Sequence, residues 1–248
     1  MKIGKLDICV TLRCNVACKN CLRFCNMEYI TGLNYSDSDM TMGQIENFID
    51  QMRSLKGHFV LRSLNLSGGE PLLHPNIVEI VEKLEVLRKE GLVRSLTVNS
   101  NTVLTAPDCL KTYMISYVKL KNRAQKHQVV LLHPDDFEGG KKTYGQCEHY
   151  RKSTWVLTYQ GYSLCCAADG YIRLFGMDDL LFDHLPIEIS SEMDEICEHC
   201  PFGNSEMLPY ESEGDYVISE IYQREAEKNR LGRKITKRFP VKGRPNRS

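Results

Sequence analysis

The chain has 248 residues, 42% of them apolar, enough to bury a sizeable core as one domain or as one domain with a small appendage. Its 32 Lys and Arg balance its 32 Asp and Glu, so no global field argues for nucleic acid or a membrane surface, and no apolar run approaches the ~20 residues of a spanning helix. The opening MKIGKLDICV lacks the apolar region of a signal peptide, and eleven cysteines in a chain kept in the reducing cytoplasm read as metal ligands rather than disulfides.

In chain order, Leu6 to Leu12 is a short apolar run with β-branched residues and predicts a buried strand. It delivers Cys14-Asn-Val-Ala-Cys18-Lys-Asn-Cys21, three thiols in eight residues that can converge on one metal centre. A structural zinc would want a fourth ligand, for which Cys25 is available; a three-thiolate hold on a cubane iron-sulfur cluster leaves one iron open for chemistry. Asn34 to Asp39 is turn-like, and Thr41-x-x-Gln44 forms a capping box before Ile45, Phe48, Ile49 and Met52, which share one helical face. Met40, Met42 and Met52 read as core filler.

Leu64 to Ser67 predicts a second strand running into Gly68-Gly69-Glu70-Pro71, where two glycines permit close approaches that a Cβ would block. Pro75 and Asn76 open a helix with Ile77, Ile80, Val81, Leu84 and Leu87 on one face, ending at Gly91. Leu96 to Asn99 predicts a third strand, followed by Ser100-Asn101-Thr102 at the end where parallel barrels place active-site groups. Tyr117 to Leu120 and Val129 to Leu132 continue the alternation, giving about five strands.

From Cys147 the pattern changes. Trp155 to Tyr159 and Tyr162 to Cys166 are β-rich and predict a hairpin turning at Gln160-Gly161. Cys147, Cys165, Cys166 and the late Cys197-Glu-His-Cys200 can gather four thiolates at a second site, which on residues alone suits zinc and an iron-sulfur cluster equally. Cys9, Cys25 and Cys109 remain as small buried hydrophobes, and His133, His149, His184 and His199 as structural histidines. Residues 178 to 215 are acidic, whereas Lys228 to Ser248 carries nine Lys or Arg and no acid, predicting a solvated tail.

The cysteine loop together with Ser67-Gly68-Gly69-Glu70-Pro71 resembles the radical SAM superfamily over roughly residues 1 to 120, with Asn20 standing where an aromatic residue is usual. The resemblance implies a truncated parallel β/α barrel over residues 1–135, an auxiliary-cluster domain of the twitch or SPASM kind with a small C-terminal β-hairpin over 136–222, and a basic tail over 223–248. It implies a [4Fe-4S] cluster on Cys14, Cys18 and Cys21. S-adenosylmethionine would meet Ser67, Gly68, Gly69 and Glu70 through its amino group, and Asn99 and Asn101 through its nucleoside.

It further implies one auxiliary [4Fe-4S] cluster on Cys147, Cys165, Cys197 and Cys200, with Cys165 favoured over Cys166. A one-electron donor such as flavodoxin or ferredoxin would serve the first cluster. The short length and single auxiliary cluster resemble the layout of the scyllo-inosamine dehydrogenases of aminoglycoside biosynthesis, which implies oxidation of a small hydroxylated substrate such as a sugar or aminocyclitol. Peptide modification is the runner-up, set back because only thirteen residues precede Cys14 and leave no leader-binding domain. A non-catalytic protein with structural metal is the reading from another class.

Overall fold

Each of the three central strands carries an apolar-polar-apolar triad: Leu6-Asp7-Ile8, Leu64-Asn65-Leu66 and Leu96-Thr97-Val98. Side chains alternate across a strand, so in register these triads give a sheet one apolar face and one polar face. The computed structural model, which describes residues 2–18, 21–116, 131–136, 147, 154–186, 191–203, 218–233 and 238–242, has that register. Strand β1 (Lys2–Thr11) runs parallel to β2 (Phe59–Gly68) with Asp7 opposite Asn65 and Cys9 opposite Ser67. Strand β3 (Leu96–Ser100) lies parallel to β2 with Thr97 opposite Asn65, and β4 (Met114–Ser116) lies parallel to β3 with Ile115 opposite Asn99.

On the other flank of β1, the parallel strand β5 (Thr154–Leu157) turns back into the antiparallel β6 (Tyr162–Ser163). The architecture is therefore mixed α/β around one mostly parallel six-stranded sheet of order β4-β3-β2-β1-β5-β6. The hairpin does not stand apart as an appendage, because its first strand is hydrogen-bonded to β1 and extends the main sheet.

The apolar face is covered by two helices. The α1 turn (Glu28–Thr31) precedes α2 (Met42–Ser54), whose start is fixed by the complete capping box: Gln44 N donates to Thr41 Oγ1 and Thr41 N donates to Gln44 Oε1. Ile45, Phe48, Ile49 and Met52 of α2, with Ile77, Ile80, Val81, Leu84 and Leu87 of α3 (Ile77–Lys89), are buried in one core with Leu6, Ile8, Leu64, Leu66 and Val98. At about 1.5–3 kcal/mol per buried aliphatic side chain, this stripe holds the sheet to its helices. Helices α4 (Cys166–Phe175) and α5 (Glu220–Arg230) follow the hairpin. No helix among the described residues is long and apolar enough to cross a membrane.

Several boundaries differ from the sequence reading. The first two strands begin earlier, at Lys2 and Phe59, because pairing extends them past their apolar runs. The strand expected over 117–120 lies outside the described residues, β4 closing just before it, as do residues 129–130; Leu131 and Leu132 are not in a strand. The hairpin turns at Tyr159-Gln160, one residue earlier than expected, since Thr158 and Gly161 exchange both backbone hydrogen bonds. The segment read as a strand through Cys166 stops at Ser163. Cys165 is instead the N-cap of α4, its Sγ accepting from Ala168 N at 3.4 Å. In the described part of the basic C-terminal stretch Lys228, Arg230, Arg238 and Lys242 are exposed, while Phe239 is buried, its N–H bonds Tyr159 O at 2.8 Å, and the Arg238 guanidinium lies 4.6 Å from the Tyr159 ring centroid.

Candidate functional site

The C-terminal ends of β1, β2 and β3 meet in one place. Arg13, just past β1, anchors the start of the cysteine loop: its Nε and Nη2 donate to Asp39 at 3.1 and 2.6 Å, and Nη2 also donates to Leu73 O at 2.7 Å. Such a bidentate pair fixes direction as well as distance. The glycine motif then runs along the loop's backbone, with Gly69 N bonded to Thr11 O and Glu70 N to Arg13 O. A Cβ on Gly68, whose φ is +152°, would stand 2.2 Å from Thr11 O, and one on Gly69 would stand 2.2 Å from Arg13 O. The close approach that demands these glycines is therefore to the cysteine loop itself.

Glu70 is fully buried and closes the junction. Its carboxylate accepts from Leu72 N at 3.1 Å, from Ser100 Oγ at 2.9 Å and from Asn101 N at 2.7 Å, so it binds the end of β2 to the end of β3. Asn101 reaches back over the loop, its Nδ2 donating to Asn15 Oδ1 at 2.7 Å and standing 3.9 Å from Cys14 Sγ. Ser67, Gly68, Gly69, Glu70 and Asn101 are thus brought to the cysteine loop. Asn99 is half-buried on the polar face, two residues beyond Thr97 and next to Ser100 at the end of β3.

Cys14, Cys18 and Cys21 are each partly exposed. Burial raises the Cys14 thiol, and charge on Cys21, Cys18 and Glu70 raises it further, which places the three sulfurs in mutual electrostatic reach. Cys21 goes the other way: the Cys25 thiol donates a hydrogen bond to it and holds its pKa down at about 6, leaving a thiolate, the metal-binding form, at neutral pH. Cys25 is buried and pushed well up as the donor of that bond. On the polar face of β2, opposite Cys9, Ser67 Oγ is buried with no hydrogen-bond partner.

Cys165 and Cys200 are buried, and Cys147 and Cys197 partly exposed. The Cys200 thiol is driven well up by burial and by charge on Cys165, Cys197 and Cys147, so these four lie around one another. Cys166 faces elsewhere. Burial raises its thiol to about 11 against the lowering effect of Arg23, with Asp7 and Asp169 also nearby. Among the described residues no three Cys, His, Asp or Glu side chains are gathered tightly enough to hold a metal ion as they stand, so either thiol group must close further to do so. The donor chemistry nonetheless fits iron-sulfur ligation: one loop of three thiols, with that of Cys21 held down by its neighbour, and one set of four thiols.

The remaining candidates are accounted for. Cys9 is buried in the core and Cys109 is exposed. His133 is 3.1 Å from His199 across a ring-nitrogen contact, and His199 stacks on Phe175 at 4.1 Å; His149 lies outside the described residues. Sequence reading missed Arg13, Asp39, Asp7, Asn65 and Arg23. The first pair carried no local signal, being 26 residues apart, but Asp7, Asn65 and Thr97 announced themselves as polar residues centred in apolar strand triads.

No family model matches the chain. It is 38% identical over 99 residues to a probable GTP 3',8-cyclase of Methanothermobacter marburgensis, and 30% identical over 100 residues to an S-adenosylmethionine-dependent nucleotide dehydratase of Selenomonas ruminantium, each match covering 40% of this chain. The matches span 28% and 31% of those relatives. Among solved structures, BtrN in complex with AdoMet and 2-DOIA aligns over 82% of this chain and 85% of its own at 13% identity and a TM-score of 0.39, a likeness too weak to carry an argument.

Proposed function

We propose, from the premise that this chain belongs to the radical SAM superfamily, that it cleaves S-adenosylmethionine reductively and directs the resulting 5'-deoxyadenosyl radical at one hydrogen of a small hydroxylated molecule, which leaves oxidised. A [4Fe-4S] cluster on Cys14, Cys18 and Cys21, fed by flavodoxin or ferredoxin, would supply the electron, and an auxiliary cluster on Cys147, Cys165, Cys197 and Cys200 would take one back. The observation that carries the reading is the Glu70 junction, which ties the glycine motif, Asn101 and the cysteine loop into one rigid unit at the C-terminal ends of parallel strands.

The chain's own residues have definite tasks in this scheme. Gly68 and Gly69 hold the motif against the loop, Glu70 fixes the strand ends, and Ser67 Oγ and Asn101 offer polar atoms to the cofactor. Positioning of this sort supplies much of the rate in any reaction that must hold a reactive species against one bond. The mostly parallel sheet with its covering helices, open at the β4 and β6 edges among the described residues, supports the partial barrel of this scheme.

A second reading is a nucleotide substrate, favoured by the names of both relatives, a GTP 3',8-cyclase and a nucleotide dehydratase. Anaerobic reconstitution with iron and sulfide tests the proposal. About eight irons and formation of 5'-deoxyadenosine on reduction are expected; absence of 5'-deoxyadenosine sinks the reading, and about four irons with cleavage retained removes the auxiliary cluster alone.

A further inference from the structure

We infer that Arg23 and Asp7, on the polar face of the sheet, form the substrate's seat, and that the seat takes a neutral hydroxyl group; this rests on the proposed radical reading and names its substrate class. Arg23 follows Cys21 by two residues and is 6% exposed, yet its Nη1 has no hydrogen-bond partner. Its Nη2 is 3.7 Å from Asp7 Oδ2, within ion-pair range but too far for a hydrogen bond. The other carboxylate oxygen of Asp7 accepts from Asn65 Nδ2 at 2.7 Å, and Asn65 Oδ1 is in turn filled by Ser63 Oγ and Thr97 Oγ1, both at 2.7 Å. At the Arg23 end of this network Cys9 also lies against the guanidinium. There, a guanidinium N–H and a carboxylate oxygen stand side by side with capacity to spare.

A buried donor left unpaired costs about 1–3 kcal/mol, and a hydroxyl, which accepts and donates at once, satisfies both groups together. The backbone under Arg23 is held in place, since Arg173 Nη2 donates to Arg23 O at 3.1 Å and a Cβ on Gly170 would stand 2.3 Å from Leu22 O. Charge decides the class. Among the described residues the two cations here, Arg23 and Arg173, are balanced by two carboxylates, Asp7 and Asp169, so a phosphate or carboxylate would meet no net positive charge from them. Lys5, next on this face, lies two positions further from the cysteine loop, about 7 Å along the strand. An added anion would keep its desolvation cost of several kcal/mol without a partner. Arg23 follows the first loop's Cys21 by two residues, and Cys166, the neighbour of Cys165, is within its electrostatic reach.

The test uses the reconstituted, reduced full chain with S-adenosylmethionine and one labelled probe at a time: perdeuterated myo-inositol, perdeuterated D-glucose, or GTP deuterated on its ribose. The deuterated fraction of the 5'-deoxyadenosine formed is read by mass spectrometry. Transfer from at least one neutral probe, exceeding that from GTP, is expected. In Arg23→Lys and Asp7→Asn that fraction is expected to fall at least tenfold, with iron content and circular dichroism confirming the fold. Transfer from GTP equal to or above that from both neutral probes, transfer from none, or an unchanged fraction in both variants overturns the seat, the last outcome leaving an ordered water as its occupant. Failure to form 5'-deoxyadenosine at all overturns the radical reading instead, and so separates the two.

Discussion

The two thiol groups of this chain are built on opposite principles. Cys14, Cys18 and Cys21 come from one loop at a strand end, are partly exposed, and include a thiolate prepared by a neighbouring thiol donor. Cys147, Cys165, Cys197 and Cys200 come from distant segments and are joined by the fold, and burial drives the thiols of Cys165 and Cys200 up. A loop of prepared, accessible thiols suits a centre that exchanges ligands with solvent-borne cofactor. The buried thiols of Cys165 and Cys200 must lose protons as metal enters, which couples metal binding there to local folding.

The comparison breaks most sharply at the first loop. Replacing any of Cys14, Cys18 or Cys21 by Ala is expected to lower 5'-deoxyadenosine formation below detection, a loss of at least about a thousandfold or 4 kcal/mol of transition-state stabilisation; liquid chromatography of quenched reactions checks it. Retention of cleavage in a single variant would remove that cysteine from the ligand set.

The second group is probed by Cys197→Ala combined with Cys200→Ala. Iron is expected to fall from about eight to about four per chain, and the ratio of oxidised product to 5'-deoxyadenosine to collapse at least tenfold. Circular dichroism accompanies the assay, because Cys200 is buried and its loss can disturb the local fold. An unchanged product ratio would leave the second group a purely structural role.

A smaller effect sharpens the geometry of the junction. Gly69→Ala sets a Cβ 2.2 Å from Arg13 O, so the motif or the loop must shift. Thermal unfolding is expected to show a loss of about 3 kcal/mol, at the upper end for overpacking. The same substitution at Gly57, which has open space where the Cβ would go but a φ of +87°, is expected to cost less, about 1 kcal/mol from backbone strain alone.

Legibility in the sequence followed the same divide. The capping box at Thr41 and Gln44, the apolar stripes of α2 and α3 and the cysteine loop are all contained in short windows, and local periodicity suffices for them. The strand ends drifted because ladder pairing, not composition, sets where a strand starts, as at Phe59. Cys165 was misplaced on a strand because its capping role depends on Ala168 N turning back to it, a helix start without a Ser, Thr, Asp or Asn to announce it. Arg13 with Asp39, and Arg23 with Asp7, pair across 26 and 16 residues, and such separations are set by the fold alone.

The finest test concerns why Cys21 differs from Cys165 and Cys200. The Cys25 thiol donates to Cys21, and that bond outweighs the burial that opposes ionisation, holding Cys21 at about 6. A group whose folded pKa is depressed contributes stability that is present above its unfolded value, about 8.5, and lost as pH falls through about 6. Cys165 and Cys200 have the opposite sign, their contribution being complete below about 8.5 and lost as pH rises beyond it. In metal-free protein, iodoacetamide alkylation of Cys21, followed by peptide mass spectrometry, should therefore show a midpoint near pH 6. Cys25→Ala removes the donor and leaves the desolvation, so the midpoint should climb by about 1–2 units or more, toward the ordinary thiol value. Cys25→Ser, which keeps a donor, should hold it within a few tenths of the parental value. An unchanged midpoint in the alanine variant would show that the loop backbone, whose amides also reach Cys21, prepares the thiolate without its neighbour.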